Sequence, residues 1–267
     1  MAFSSGNFAS TAAGSLIALL DVLLPANAYW SIYDAAAAAN CKVYRCYDAA
    51  GNCDFYLRVD DNYDAYAILQ LWEGWDADGH AGTGARVTSP GSSGGIRYYR
   101  PASAYGISVH DHYFKAYNGY FEGHYIGQPR RYNAAKNIVL IIACGNANTN
   151  HHNPIGYGSS QTASNTIAVW EALLDETGAP AHVMVPGGGG LYQQIKTETG
   201  AMEVLEARVL NNGRTDLLIG ILEGITNHTS STLPGFLNGE TVNIDGVDWM
   251  AIGGNYSTKY WSLFKLD

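Results

Sequence analysis

The side chains best suited to chemistry in this sequence are histidines, two of which flank an aspartate in His110-Asp111-His112. In a strand, alternation would place both imidazoles on one face, roughly 7 Å apart. That spacing suits two ligands of one metal ion, and His124 is the candidate third ligand. The motif sets no further Glu or Asp beside them as the general base of a hydrolytic zinc site. We therefore predict no metal site and no cofactor, with these histidines stacked among tyrosines instead.

Other candidate motifs for catalysis are incomplete. His151-His152 lies in an Asn-rich loop, and adjacent imidazoles point apart in an extended chain. The four glycines 187–190 lack the Lys and helix start of a phosphate-binding loop. Asp76-Ala77-Asp78-Gly79 begins like a calcium loop, but His at position 80 and Val at position 87 break that pattern. The sequence therefore predicts a protein that is not an enzyme.

Composition points to a protein whose surface is neutral, polar and aromatic. The 267 residues are 47% hydrophobic and 15% charged, with 31 Gly and 19 Tyr, whereas soluble domains average roughly 25% charged residues. Tyrosine is enriched where protein surfaces meet, although many tyrosines simply pack sheets. The net charge of −9 and the pI near 5.3 argue against a nucleic-acid partner, which needs a basic face.

The central element is predicted at 107–126, where Asn118-Gly119 separates two aromatic, β-branched runs. Both turn residues tolerate positive φ, so this is a strong hairpin signal. The apolar run 137–144 follows, with the length of a strand covered on both faces. Together they predict the centre of a sheet.

Flanking segments extend this architecture. A helix is predicted from Ser10 or Thr11 to Leu24, stopped by Pro25, with an apolar stripe of leucines. A strand is expected at 29–33, an Ala-rich connection at 34–40, a hairpin of strands 41–47 and 54–60, and a strand at 63–72 with Tyr66, Ile68, Gln70 and Trp72 on one face. Further hairpins are predicted near 211–213 and 245–246.

The predicted fold class is α+β, predominantly antiparallel β-sheet and sandwich-like, with a short N-terminal helix and long Gly-rich loops. Residues 76–95 hold six glycines and are predicted as a flexible loop or arm, and 146–161 as a second loop. We predict one large domain over 1–267, with a division into 1–75 and 96–267 about the arm as the alternative.

Cysteines and hydrophobic runs bear on the compartment. Cys41, Cys46 and Cys53 match no zinc spacing, and they are predicted as free, partly buried thiols or, alternatively, as part of an extracellular disulfide. The apolar run 13–24 lacks a positive n-region, so we do not interpret it as a signal peptide. No apolar run is long enough for a membrane span, and no membrane partner is predicted.

Three stretches together resemble virion structural proteins of tailed bacteriophages, of the neck, tail or baseplate class. They are the helix 16–24 with Tyr29-Trp30 and the strands ending at 54–59, then 68–76 with 125–131, and last the hairpin 242–250 with the aromatic strand 260–266. The resemblance implies a non-catalytic homo-oligomer, ring-like, in contact with other virion proteins and assembled in the host cytoplasm.

Two functions follow as expectations. The first is a virion structural subunit whose interface includes the 76–95 arm, the 146–161 loop and the tyrosine-rich hairpin. The second is a carbohydrate- or receptor-binding module with Trp72, Trp75 and tyrosines as stacking platforms. The interface candidates are Tyr113, Tyr117, Tyr120, Tyr125, Trp75, His151 and His152.

Overall fold

The structure is a computed structural model of the chain. It describes residues 1–8, 12–47, 51, 53–64, 66–87, 96–100, 104–117, 123–128, 130–131, 140–144, 168–171, 173–174, 180–181, 183–184, 207–211, 214–229, 240–253 and 260–266.

One helix and 22 strands make up the described part of the chain. The helix α1 spans Ser15–Leu23. The first seven strands are β1 Ala2–Asn7, β2 Trp30–Ala38, β3 Cys41–Tyr47, β4 Cys53–Asp60, β5 Tyr66–Asp76, β6 Ala81–Val87 and β7 Ile96–Tyr99. The next seven are β8 Ala104–Val109, β9 Tyr113–Tyr117, β10 Gly123–Gly127, β11 Arg130–Arg131, β12 Leu140–Cys144, β13 Ala168–Glu171 and β14 Leu173–Leu174. The last eight are β15 Pro180–Ala181, β16 Val183–Met184, β17 Ala207–Asn211, β18 Arg214–Leu222, β19 Ile225–Thr229, β20 Thr241–Ile244, β21 Val247–Gly253 and β22 Tyr260–Lys265.

Three sheets position the residues discussed below, and all their pairings are antiparallel. The first sheet has the order β2-β3-β4-β5-β6, with β7 also paired to β5. The central sheet has the order β1-β8-β9-β10-β12-β13. The terminal sheet has the order β19-β22-β21-β20. The chain is therefore predominantly antiparallel β-sheet with a short N-terminal helix, as predicted.

The first and central sheets share one core. Alternate side chains of β4, namely Phe55, Leu57 and Val59, are fully buried in the same cluster as Phe114 of β9 and Ile126 of β10. The helix adds the predicted leucine stripe, with Leu16, Leu20 and Leu23 buried and Leu19 packed against the cluster. Trp30 joins the two sheets, because its ring packs edge-on against Phe55 and Phe114 and its Nε1 donates to the His110 carbonyl at 2.9 Å.

The beginning of the helix is held by a residue distant in sequence. Gly14 at the N-terminus has φ 88° and offers no side-chain cap. Asp61, just after β4, instead accepts the backbone N–H groups of Leu16 and Ile17 at 2.8 and 3.1 Å. The same carboxylate pairs with Arg100 just after β7, and both side chains are 0% exposed. This differs from the predicted cap at Ser10 or Thr11, which lie outside the described residues.

Arg100 completes a buried polar hub. Its guanidinium also donates to the Tyr63 and Tyr66 carbonyls. Burial lowers the pKa of Arg100 to about 10, so the side chain stays charged at neutral pH and can neutralise Asp61. The hub ties α1, the end of β4, the start of β5 and the segment after β7 to one another.

The predicted pairings of the hairpin strands are confirmed, but the predicted central turn is wrong. β9 and β10 pair with Tyr117 opposite Gly123, so five residues and not Asn118-Gly119 alone separate the paired ends, and β12 lies on the other side of β10. In the first sheet β3 and β4 pair as expected. The C-terminal hairpin of β20 and β21 turns at Asp245 and Gly246.

Two loop predictions are wrong in part. The expected arm 76–95 contains strand β6, which pairs with β5. The glycines of this segment suggested a loop, but they have structural roles in the strand. A side chain at Gly82 would collide with the Trp72 ring that lies over it, and Gly84 has φ 61°, a value that favours glycine. The expected connection 34–40 is largely strand, since β2 continues to Ala38 with register shifts. Residues 88–95 and 146–161 lie outside the described part.

Two of the cysteines are free thiols, as one of the two alternatives predicted. Cys41 and Cys46 are buried and unbridged, and burial raises the pKa of Cys41 to about 11. The thiol of Cys41 is therefore protonated and unreactive at neutral pH. Within the described residues, no helix is long and apolar enough to cross a membrane.

We expect Asp61→Ala to destabilise the fold by about 3–5 kcal/mol, because it leaves Arg100 buried without its counter-charge and the helix N–H groups without an acceptor. Urea unfolding followed by circular dichroism measures this loss. Asp64→Ala, which removes an exposed carboxylate three residues away, is the matched control and should change stability by less than about 0.5 kcal/mol. Equal losses for the two variants would contradict the assigned role of the hub.

Candidate functional site

The histidines predicted as weak metal candidates do not converge. His110, Asp111 and His112 form the turn between β8 and β9, closed by a 2.8 Å hydrogen bond from the His110 N–H to the Tyr113 carbonyl. Strand alternation therefore does not place the two imidazoles side by side, and the strand prediction for this tripeptide is wrong. The His110 ring stacks on Tyr113 at 4.3 Å, whereas His112 packs edge-on against Tyr29 at 4.9 Å.

The third candidate, His124, lies on the other side of the central sheet. It is 0% exposed and packs against Tyr98 of the shared core at 5.1 Å. In the described part of the chain, no three His, Cys, Asp or Glu side chains are placed to hold a metal ion. The predicted contacts of these histidines with tyrosine rings are confirmed, but His124 is buried and does not lie at a surface as expected.

A second arrangement in the central sheet has the distances of a catalytic pair but poor access. The Ser108 hydroxyl is hydrogen-bonded to His110 Nε2 at 2.9 Å, as a nucleophile is to its base. Ser108 is only 4% exposed, so a substrate would have little access to the hydroxyl. We assign the contact to the satisfaction of a buried hydroxyl.

Two of the predicted interface tyrosines lie inside the subunit. Tyr113 and Tyr125 are 7% and 0% exposed and stack on each other at 4.6 Å. The Tyr113 hydroxyl donates to Glu223, and Tyr125 donates to the Gln128 carbonyl. Their burial corrects the idea that they form surface contacts. Tyr117 is partly exposed, and Tyr120, His151 and His152 lie outside the described residues.

Partly exposed aromatic and arginine side chains converge on the outer face of the first sheet. Because Phe55, Leu57 and Val59 of β4 point into the core, the residues between them point away from it. This outer surface, here called the aromatic face, is formed by Tyr33, Arg45, Tyr47, Tyr56, Arg58, Tyr66, Gln70 and Trp72, all partly exposed. Of the four residues predicted to align, Tyr66, Gln70 and Trp72 belong to this partly exposed face. Ile68, the fourth, is buried at 3% exposure.

The aromatic face is ordered by strand register. Arg45, Tyr56 and Trp72 are direct neighbours across β3, β4 and β5. Tyr33 packs edge-on against Tyr56 at 5.0 Å. The Trp72 ring continues the row to Trp75 at 6.0 Å. Cross-strand aromatic contacts of this kind fix side-chain rotamers and so hold the surface in one shape.

The two arginines of the face differ in their partners. Arg58 pairs with Asp60 at 3.1 Å and donates to Gln70 at 2.8 Å. Arg45 lies between two rings instead, with its guanidinium carbon 4.9 Å from the Tyr33 centroid and 4.6 Å from that of Tyr47.

At the edge of the face, a buried carboxylate gathers two donors. Asp34, whose side chain is 3% exposed, accepts Trp75 Nε1 at 2.9 Å and contacts His80 Nδ1 at 2.8 Å. Burial alone raises the pKa of the Asp34 carboxyl, but the hydrogen bonds from His80, Trp75 and the Ala36 N–H outweigh it and lower the pKa. Trp75 is 8% exposed, so it does not present the open stacking surface that the sequence suggested.

The sequence signalled only part of this site. Tyr33, Arg45, Tyr47 and Tyr56 were not predicted, although the alternation of polar and apolar residues along β3 and β4 carries the signal. The contacts of His80 with Asp34 could not be read from the sequence, because they depend on the turn between β5 and β6, where His80 has φ 50°.

No protein-family model matches this chain, and no curated protein matches its sequence.

The depressed pKa of Asp34 predicts an acid-dependent contribution to stability. The carboxylate stabilises the fold fully above the ordinary Asp pKa of about 4, and this contribution is lost as the pH falls through the lower folded value. We expect wild-type protein to lose more urea resistance than Asp34→Asn between pH 7 and pH 3. Asp64→Asn, at an exposed position, should lose as much as wild type. An identical pH dependence in Asp34→Asn would contradict the role given to this carboxylate.

Proposed function

We propose that this protein is a structural subunit of a tailed-bacteriophage virion, a neck, tail or baseplate component that assembles as a symmetric oligomer through protein–protein interfaces. The observation that best supports the proposal is the aromatic face, whose tyrosine, arginine and tryptophan side chains are partly exposed. The virion assignment rests on the sequence resemblance, and the assembly role rests on this surface.

The composition of the aromatic face supports an interface. Tyr, Trp and Arg are the residues enriched in the centres of protein–protein contacts and in their energetic hot spots. Tyrosine loses little conformational entropy on binding, and the rings here are already restrained by Arg45 and by one another. The aromatic face contains no lysine, and lysine is depleted in protein–protein interfaces.

The shared core supports a layered subunit. Side chains from the first and central sheets enter one hydrophobic cluster, as in a sandwich whose two sheets bury their inner faces together. In the proposed assembly the outer face of the first sheet is then available for a neighbour. One domain over 1–267 is part of the same proposal.

A carbohydrate- or receptor-binding module is the second candidate. Trp72 lies on the face beside Tyr56, and the neighbouring Arg58–Gln70 pair offers hydrogen-bonding groups next to the rings. A sugar ring stacked on the indole with its hydroxyls near such groups would be bound in the usual way. Because Trp75 is buried, Trp72 is the residue that would stack on the sugar in this hypothesis.

Light scattering of purified protein tests the proposed function. We expect wild-type protein to form a ring or another defined oligomer, visible in negative-stain images of the same fractions. Tyr33→Ser should weaken the assembly at least tenfold, because it removes a ring of the face that packs against both Tyr56 and Arg45.

Ile32→Ser is the matched control for this variant. Ile32 is the adjacent residue of β2 and pairs with Tyr44, whose side chain points into the core, so its replacement should leave the assembly unchanged. A wild-type protein that stays monomeric at all concentrations, alone and mixed with other virion proteins, would contradict the proposal.

A glycan screen separates the second candidate from the first. If the face binds carbohydrate, the screen will find a ligand for the wild-type protein. The affinity for that ligand should fall at least tenfold in Trp72→Ala, because the sugar ring can no longer stack on the indole. Trp75→Ala should then have no direct effect on binding beyond its effect on folding. Absence of any ligand in the screen would leave the assembly function as the better explanation of the face.

A further inference from the structure

The most closely held charged side chain of the aromatic face is Arg45. Arg45 Nε donates to Ser31 Oγ at 3.1 Å, and Ser31 Oγ is hydrogen-bonded to the Tyr47 hydroxyl at 3.1 Å. The guanidinium is thus held between the Tyr33 and Tyr47 rings by one hydrogen bond and two cation–π contacts. Ser31, Tyr33, Arg45 and Tyr47 are called the Arg45 clamp below.

The clamp has a charge that no described residue neutralises. Among the described residues, no carboxylate lies within ion-pair distance of Arg45, whereas Arg58 on the same face is paired with Asp60. The two terminal nitrogens of a guanidinium form a planar fork that fits the two oxygens of a carboxylate. Because the aromatic contacts already fix the fork, little side-chain entropy would be lost on binding.

A matching carboxylate lies at the tip of the C-terminal hairpin. Asp245 and Gly246 form its two-residue turn with φ values of 51° and 81°, as in the tight turns of twisted hairpins. Asn243 stiffens this turn, since its side chain accepts the Gly246 N–H at 3.1 Å and donates to Asp248 at 2.7 Å. Asp245 itself is exposed, and no described residue pairs with its carboxylate.

The clamp and the tip belong to different sheets, with the central sheet in contact with both. The inner face of the first sheet packs on the central sheet through Phe114. On the other face of the central sheet, Lys115 Nζ donates to the Lys265 carbonyl of the terminal sheet at 3.1 Å. Arg45 points outward from the first layer, whereas the hairpin belongs to the last, and among the described residues the two make no contact.

We infer that Asp245 of one copy binds in the Arg45 clamp of the next copy. Charge complementarity favours this occupant, because residues 240–249 carry Glu240, Asp245 and Asp248 with no Lys or Arg, and the whole chain is acidic. A contact between different surfaces of identical subunits is head-to-tail, and it closes into a ring or continues as a filament. The inference rests on the proposed function and specifies its contact.

Charge reversal tests this contact. We expect Arg45→Glu and Asp245→Arg each to weaken self-association at least 30-fold by light scattering, as loss of a desolvated charge pair does in other interfaces. The double variant R45E/D245R restores opposite charges and should return to within about tenfold of wild type. An equimolar mixture of the two single variants should also assemble, because each supplies the partner that the other lacks.

Two controls separate the contact from general charge effects. Asp64→Arg reverses an exposed carboxylate away from the hairpin tip and should assemble like wild type. Arg45→Lys keeps the charge but removes the planar fork, so its self-association should lie between that of wild type and Arg45→Glu. Equal far-UV circular dichroism and melting temperatures show that the variants are folded.

The outcomes distinguish this inference from the proposed function. A wild-type oligomer whose mass does not change in either single variant would overturn the Asp245–Arg45 contact and leave the assembly function standing. A wild-type protein that never assembles would overturn both. Glucuronate that shifts the Tyr33 and Tyr47 ring signals in NMR, while Asp245→Arg assembles like wild type, would assign the clamp to a soluble ligand and overturn the contact.

Discussion

The structure depends most on the buried pair of Asp61 and Arg100. Each charge would be costly in the interior alone, so each fixes the position of the other. Asp61 also accepts two N–H groups at the start of α1, and Arg100 reaches carbonyls just before and at the start of β5. One ion pair thus joins the helix, the end of β4 and the segment after β7. This constraint holds the helix against the inner face of the first sheet.

The aromatic face is a consequence of the alternation of side chains along the strands of the first sheet. Once Phe55, Leu57 and Val59 enter the core, the intervening residues of β4 must point outward, and the sequence places tyrosine and arginine there. The partners of these side chains lie on neighbouring strands in direct register, so the order of the sheet sets the order of the face. Arg58 is neutralised within the sheet, whereas Arg45 is held only by rings and a hydroxyl. The first sheet therefore contains one arginine, Arg58, whose charge is paired with a carboxylate. Its other outward-facing arginine, Arg45, has no carboxylate partner among the described residues and can bind one on a partner.

The sequence predicted the local β-structure better than the site. Pairings that depend on short turns, such as the one at Asp245-Gly246, were predictable because their residues accept positive φ. Strand β6 was missed, because its glycines serve an overlying Trp72 ring, a contact between elements that composition does not reveal. His110-Asp111-His112 was mistaken for strand because a turn without Gly or Pro has no strong signal. The cap from Asp61 and the contacts of His80 with Asp34 join residues more than forty positions apart, which no local pattern encodes.

Strength and direction would come from different parts of the proposed interface. The aromatic rings can bury apolar area against many surfaces, so alone they would favour association without a defined geometry. A single oriented guanidinium adds little area, yet an unsuitable partner would leave it desolvated and unpaired, which is costly. In a chain of net charge −9, repulsion between copies further disfavours contacts that do not bring a cation to an anion. Arg45 is therefore the residue on this face best placed to make one arrangement of copies preferred over the others.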